Sequence, residues 1–89
     1  MDFYELTFCL RNKMLDKKRN LTFAQEEKCL ILAALISYKI INSEIIHEFR
    51  PDSNELLREL HLLNYCDELF SNLPFGDADI IEIIDSCCR

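Results

Sequence analysis

Hydrophobic positions recur at the spacing of an α-helix along most of the chain. Between residues 2 and 16, apolar side chains lie three or four residues apart and form one stripe: Phe3, Leu6, Leu10 and Met14. The polar segment 17–20 then interrupts the pattern. The spacing therefore predicts an amphipathic first helix over residues 2–16.

The second predicted helix, at about 22–41, is apolar on every face in its middle. Thr22 and Gln25 match the capping-box pattern, in which each side chain satisfies an exposed backbone amide of the other residue. Residues 29–36 are wholly apolar. Because a helix that is hydrophobic all round must be covered on most sides, we expect this helix to be central. A buried strand is the alternative, which the two alanines and the capping signal oppose.

Shorter helices are predicted in the middle of the chain. The polar pair at 42–43 interrupts the pattern, and its serine is in place to cap a short helix over 44–49. Asp52 or Ser53 can cap the next helix, at about 54–64, which has a leucine stripe.

Helical spacing continues over 65–73 and ends at a turn that contains the only glycine of the chain. Asp77 is expected to cap a last helix that runs to about Cys88. Its isoleucines also fit a strand, but an isolated strand has nothing to pair with. The predicted fold is all-α: a compact bundle of five to six short helices around the central helix at about 22–41, forming one domain over 1–89.

Length and composition narrow the class of protein. A chain of 89 residues is the size of one domain, and a hydrophobic fraction of 49% excludes disorder. The longest apolar run, 29–36, is far shorter than the roughly 18 residues that a membrane-spanning helix needs. The chain begins without a basic segment, and its five cysteines have no regular spacing. These features predict a cytoplasmic, reducing location without a membrane span.

Charge is distributed unevenly within a net charge of −6. Residues 1–20 carry five basic and three acidic groups (+2), whereas 66–89 carry six acidic groups and one basic group (−5). The acidic total disfavours nucleic-acid binding. The opposed patches predict a protein partner, including head-to-tail self-association. The candidate partner-binding residues are Arg11, Lys13, Lys17, Lys18 and Arg19 on the basic side, and Asp67, Glu68, Asp77 and Asp79 on the acidic side.

No motif in the sequence has the spacing of a catalytic, cofactor or metal site. The cysteines include no Cys-x-x-Cys pair, and a single glycine excludes a glycine-rich phosphate loop. We therefore expect a protein that is not an enzyme, with no cofactor, no metal and no small-molecule substrate. Cys9 and Cys29 are interpreted as small core residues, and the cysteine pair at 87–88 as part of a fraying helix end.

Two parts of the chain resemble the death effector domains of the death-fold superfamily. Residues 52–60 (DSNELLREL) followed by 65–69 (YCDEL) resemble their leucine-rich fifth helix and the element that opens the sixth. Residues 25–32 (QEEKCLIL) resemble their second helix. The chain departs from the family where Cys66 replaces an arginine, where the segment before Glu55 is shorter, and where a further helix follows.

The resemblance implies a homotypic interaction module of caspase-recruiting or related signalling assemblies, acting as an adaptor or an inhibitor. The alternative function is a small acidic decoy, for example a viral or mobile-element protein, that occupies a basic surface of a host protein through the carboxylates of 77–85. A helix-turn-helix nucleic-acid binder is a third hypothesis, but the second helix offers few polar side chains to read bases. Residues 59–70 also resemble the opening of a sterile alpha motif, although too little chain follows to complete one.

Overall fold

A computed structural model describes residues 2–47, 52–62, 68–69 and 71–88. Four α-helices account for most of these residues: α1 (Phe3–Lys17), α2 (Phe23–His47), α3 (Ser53–His61) and α4 (Asp77–Cys88). No strand occurs within those ranges, which confirms the all-α class. The expected number of helices is corrected from five or six to the four observed in the described residues.

The expected helix break at 42–43 is wrong, because α2 continues without interruption through both residues to His47. The helix predicted over 22–41 and the described part of the one predicted over 44–49, residues 44–47, are therefore one element. Residues 48–49 lie outside the described residues. Asn and Ser lower helix stability by no more than about 0.7 kcal/mol each relative to Ala. Packing of the fully buried Ile36 and Ile40 just before the pair outweighs this local preference.

Local side-chain bonds define the starts of the first two helices. The carboxylate of Asp2 accepts a hydrogen bond from the backbone N–H of Glu5 at 2.8 Å. At the start of α2, the N–H of Thr22 donates to Oε1 of Gln25 at 2.9 Å, and the N–H of Gln25 donates to Oγ1 of Thr22 at 3.2 Å. The predicted capping box is confirmed.

The last two helices also begin at capping contacts. Asp52 accepts a hydrogen bond from the N–H of Asn54 at 2.9 Å, so Asp52 is the residue that caps α3. α4 follows Gly76, whose N–H donates to the carboxylate of Asp79 at 3.1 Å. The sequence predicted Asp77 as the cap of α4, and this prediction is wrong. The capping side chain is Asp79, because Asp77 is already the first helical residue.

The four helices form a ring in which each packs against two others. α1 packs against α2 and α4, and α3 packs against the same two helices. Ser53 at the start of α3 bonds to Asp85 near the end of α4, whereas His61 at the end of α3 lies against Asp77 at the start of α4. These contacts make α3 and α4 antiparallel. α2 and α4 lie diagonally opposite each other.

One hydrophobic core lies inside the ring, and every helix contributes to it. Its buried helical members are Leu6, Leu10 and Met14 of α1, Cys29, Leu32, Ala33, Ile36 and Ile40 of α2, Leu56, Leu57 and Leu60 of α3, and Ile80, Ile83, Ile84 and Cys87 of α4. Cys87 therefore belongs to the core, and the expectation that it lies in a fraying helix end is wrong. A shared core means that the helices depend on one another for burial.

α2 is not enclosed on most sides, in contrast to the expectation for a central helix. Its neighbours in the ring are α1 and α3, so one of its faces points outward. α2 has 25 residues, which corresponds to about 37 Å at 1.5 Å per residue. It therefore spans the 38 Å long axis of the molecule. The apolar sequence of this helix is divided between core and surface.

Candidate interaction surface

The basic and acidic candidate residues meet within a single chain where α1 ends beside the start of α4. Nζ of Lys17 lies 2.5 Å from Oε2 of Glu82 and 3.4 Å from Oδ1 of Asp79. The contact arises because α1 and α4 pack together with the last turn of one beside the first turns of the other. Lys17 and Asp79, which the sequence assigned to contacts between copies, are thus paired inside the chain.

This ion cluster suits both helix ends. A lysine at the end of α1 and carboxylates in the first turns of α4 each oppose the partial charge of the helix terminus. The bond to Glu82, followed by that to Asp79, raises the pKa of Lys17. The backbone N–H of Gly76, and then Lys17, hold the pKa of Asp79 below its ordinary value.

The other carboxylates of α4 also have partners within the chain. Nε2 of His61 lies 3.1 Å from Oδ1 of Asp77. The hydroxyl of Ser53 donates to the carboxylate of Asp85. Together with the lysine contacts above, every acidic side chain of α4 has a partner in α1, α3 or the preceding turn, and Lys17 is the one permanent cation among these partners.

Most of the basic candidate residues have no such partner. Within the described ranges, Lys13, Lys18 and Arg19 form no ion pair, and the guanidinium of Arg11 contacts only the side-chain oxygen of Asn12, at 3.4 Å. Lys18 and Arg19 lie in the exposed loop between α1 and α2. This loop is the basic surface that remains available to a partner.

One of the remaining acidic candidates lies beside α2. Glu68 is exposed and, together with Leu69, lines a shallow pocket of about 230 Å³ against Lys28 and Ile31 of α2. Asp67 lies outside the described residues. Glu68 therefore lies beside α2, whereas Asp77 and Asp79 lie in the first turn of α4.

Large apolar side chains are exposed along the outward side of α2. We call these residues the outer apolar face: Phe23, Leu30, Ile31, Tyr38 and Ile45. Phe23, Tyr38 and Ile45 are 76%, 61% and 73% exposed. At about 100° per residue, all five positions fall within an arc of roughly 100°. Ile31, Tyr38 and Ile45 lie seven residues apart, the spacing that could have indicated a second apolar stripe from the sequence.

The outer apolar face has an approximate twofold pattern centred on Ala34. Phe23 and Ile45 lie eleven residues to either side of it, and Leu30 and Tyr38 lie four residues to either side. Ala34 is only partly exposed and its side chain is small. A second α2 helix running antiparallel across this face would bring position 23 against 45 and position 30 against 38, around a small residue at the crossing point. The match is partial, because Ile31 would face the position of the buried Ser37, and the exposed Glu27 lies in the same arc.

The described part of the chain was also searched for metal sites, grooves and membrane-spanning helices. No cluster of three or more His, Cys, Asp or Glu side chains there could hold a metal ion. A groove between α1 and α4, lined by Lys13, Lys17 and Glu82, has a volume of about 280 Å³. This is below the roughly 300–1,000 Å³ typical of sites for small molecules. No described helix combines the length and hydropathy needed to cross a membrane.

Two thiols that the sequence left unconnected lie together. Sγ of Cys9 on α1 is 2.7 Å from Sγ of Cys87 on α4. Cys29 is fully buried in α2, and this burial raises the pKa of its thiol. No spacing rule could have found the Cys9–Cys87 pair, because the two residues are 78 positions apart.

Comparison with known proteins identifies no relative. No protein-family model, no curated protein and no solved structure matches the chain. The functional interpretation therefore rests on the surfaces described above.

Proposed function

We propose that this chain is a non-enzymatic protein–protein interaction module that associates with a second copy of itself through the outer apolar face of α2. Its role is that of an adaptor or an inhibitor in a larger assembly. Membership of the death-fold superfamily, and with it a place in a caspase-recruiting assembly, is part of this proposal and rests on the sequence resemblance.

The observation that carries the proposal is the exposure of large apolar side chains over the whole length of α2. Contiguous apolar surface on a small protein marks a site of interaction, because exposing it to water is unfavourable. Helices that dock on other helices present such residues at helical spacings, and Ile31, Tyr38 and Ile45 lie seven residues apart. The chain has many polar side chains, since 29% of its residues are charged and its net charge is −6.

A second copy is the occupant that the pattern about Ala34 favours. In a twofold contact the same residues appear on both sides, so a self-complementary pattern is required. Pairing of position 23 with 45 and of 30 with 38 meets this requirement for four of the five residues of the face.

The test compares two exposed tyrosines on different helices. Tyr38→Lys places a charge in the outer apolar face, whereas Tyr4→Lys makes the same change on α1, where Tyr4 is 72% exposed. Sedimentation velocity over a concentration series measures the dimer dissociation constant. We expect Tyr38→Lys to weaken the dimer by roughly 100-fold or more, because an aromatic anchor of about 2 kcal/mol is lost from both copies. Tyr4→Lys should associate as the wild type does.

The outcomes separate this proposal from its alternatives. A wild-type chain that stays monomeric at the highest soluble concentration, or equal weakening by the two lysine variants, contradicts it. A monomer that captures a basic protein, with strong salt dependence, would instead support the acidic decoy.

A further inference from the structure

The thiols of Cys9 and Cys87 face each other across the contact between the first and the last helix. Their sulfur atoms are 2.7 Å apart, although the residues are 78 positions apart in the chain. Cys9 is half-buried, and Cys87 is 7% exposed and belongs to the hydrophobic core. The pair therefore joins a partly accessible sulfur to one that only its neighbours in the fold can reach.

The packing of α1 on α4 holds the two cysteines in register. Leu6 and Leu10 on either side of Cys9 are buried, as are Ile83 and Ile84 one turn before Cys87. At the other end of the contact between α1 and α4, Lys17 forms ion pairs with Asp79 and Glu82. Cys9 precedes Lys17 by eight residues along α1. Cys87 follows Glu82 by five residues and Asp79 by eight residues along α4. The ion cluster and the thiol pair thus belong to one antiparallel alignment.

We propose that Cys9 and Cys87 are a redox modification site that forms a reversible intramolecular disulfide bond when the chain meets a small-molecule disulfide such as glutathione disulfide. Two cysteines can be bridged without backbone movement only where the fold already brings their side chains together. The structure satisfies this condition for Cys9 and Cys87. By contrast, Cys29 is fully enclosed by apolar side chains, which makes it an inert structural thiol.

The reaction follows thiol–disulfide exchange. The thiolate of Cys9, the more accessible of the two, attacks one sulfur of glutathione disulfide; that S–S bond breaks and one glutathione thiolate leaves. The thiolate of Cys87 then attacks Sγ of Cys9 in the mixed disulfide and releases the second glutathione thiolate. The protein loses two electrons and two protons in total, and one glutathione disulfide becomes two molecules of glutathione.

The bond would fasten α1 to α4 and close a loop that contains most of the chain. A cross-link over so long a loop restricts the unfolded chain strongly, so the oxidised protein unfolds at a higher temperature than the reduced protein. The outer apolar face lies on α2, which does not pack against α4 in the described residues. Oxidation therefore acts on the stability of the bundle and leaves the proposed dimer surface in place.

The test starts from the wild-type chain, incubated with glutathione disulfide or with a reductant and then alkylated. Peptide mapping by mass spectrometry without reduction should find a peptide from α1 joined to the peptide that carries residues 87–88. The melting temperature should rise on oxidation and return on reduction. Cys9→Ser and Cys87→Ser should each abolish both effects, while Cys88→Ser, which changes the adjacent cysteine, should retain them.

Three results would overturn the proposal. They are a wild-type chain that stays fully alkylated after oxidation, a cross-link that persists in Cys87→Ser but disappears in Cys88→Ser, and a bond that forms only between chains. If Cys87→Ser is too unstable to analyse, Cys87→Ala serves for the same comparison, because it keeps the site apolar.

Discussion

At the scale of single residues, neighbouring leucines of similar sequence context have opposite environments. Leu60 is completely buried in the core, whereas Leu62, two residues further along, is exposed. The helical spacing of 56, 57, 60 and 63 predicts the buried stripe of α3, and the structure confirms its first three members. Leu63 lies outside the described residues. Which leucine stabilises the fold follows from its direction on the helix and not from its chemical identity.

These two leucines provide a matched test of the core. We expect Leu60→Ala to lower the free energy of unfolding by about 2–5 kcal/mol, because it removes buried methyl groups and leaves a cavity. Leu62→Ala should change it by no more than about 0.5 kcal/mol. Urea denaturation followed by circular dichroism measures both values. Similar losses for the two variants would contradict the packing of α3.

The carboxylate of Asp79 predicts a specific dependence of stability on pH. Its pKa is lowered by the N–H of Gly76 and by Lys17, so the folded chain binds a proton there less readily than the unfolded chain does. The stabilisation is complete above about pH 4, the range of an ordinary Asp, and is lost as the pH falls through the lower folded-state pKa. The ion-pair part of it weakens with added salt.

Asp79→Asn removes the titrating group and keeps the shape of the side chain. We expect this variant to melt below the wild type at neutral pH, and the difference between the two melting temperatures to shrink as the pH is lowered below about 4. Differential scanning calorimetry over a pH series provides the measurement. A constant difference across the whole series would be inconsistent with the assigned role of Asp79.

At the scale of helices, the starts could be predicted better than the interior of α2. Capping signals act over three residues, so Thr22 with Gln25 was recognised, and Asp52 was one of two candidates, without knowledge of the fold. Asp2, which the sequence pattern placed inside the first helix, caps it in the structure. The polar pair at 42–43 was misread as a boundary because propensity is a weak local preference. Packing against α1 and α3 determines whether such a helix continues.

Asn42 tests whether α2 is continuous in solution. Asn42 is exposed within the helix, so Asn42→Ala should raise the free energy of unfolding by about 0.5 kcal/mol through helix propensity, or the melting temperature by about 2–4 °C. Ser43→Ala should be neutral or stabilising for the same reason. If Ser43 instead capped a separate helix, its replacement by Ala would cost about 1 kcal/mol, a change of the opposite sign.

At the scale of the whole molecule, the ring of helices changes the meaning of the charge pattern. Opposed patches at the two ends of the sequence predicted contacts between copies. Antiparallel packing of α1 and α4 instead joins Lys17 to Asp79 and Glu82 inside one chain. The intermolecular role of the other candidates stays a prediction, and the basic loop with Lys18 and Arg19 is where it can be tested.

Two arginines allow a matched test of that loop. Arg19→Glu reverses a charge beside the start of α2, and Arg58→Glu makes the same reversal on the exposed side of α3. We expect Arg19→Glu to weaken self-association at low salt, and the difference from wild type to decrease at high salt, because screening reduces exposed charge pairs. Analytical ultracentrifugation at both salt concentrations gives the dissociation constants. An equal effect of the Arg58 control would exclude a specific role for the loop.

The amino-acid sequence alone determined the helical class, most helix boundaries and the residues that form the core stripes, because periodicity and capping depend on neighbours within one or two turns. Only the tertiary structure decided that α2 keeps an outward apolar face, that Lys17 is paired within the chain, and that Cys9 meets Cys87. These three features depend on which helices lie side by side. Residues up to 78 positions apart then come into contact, and no local pattern records such pairs.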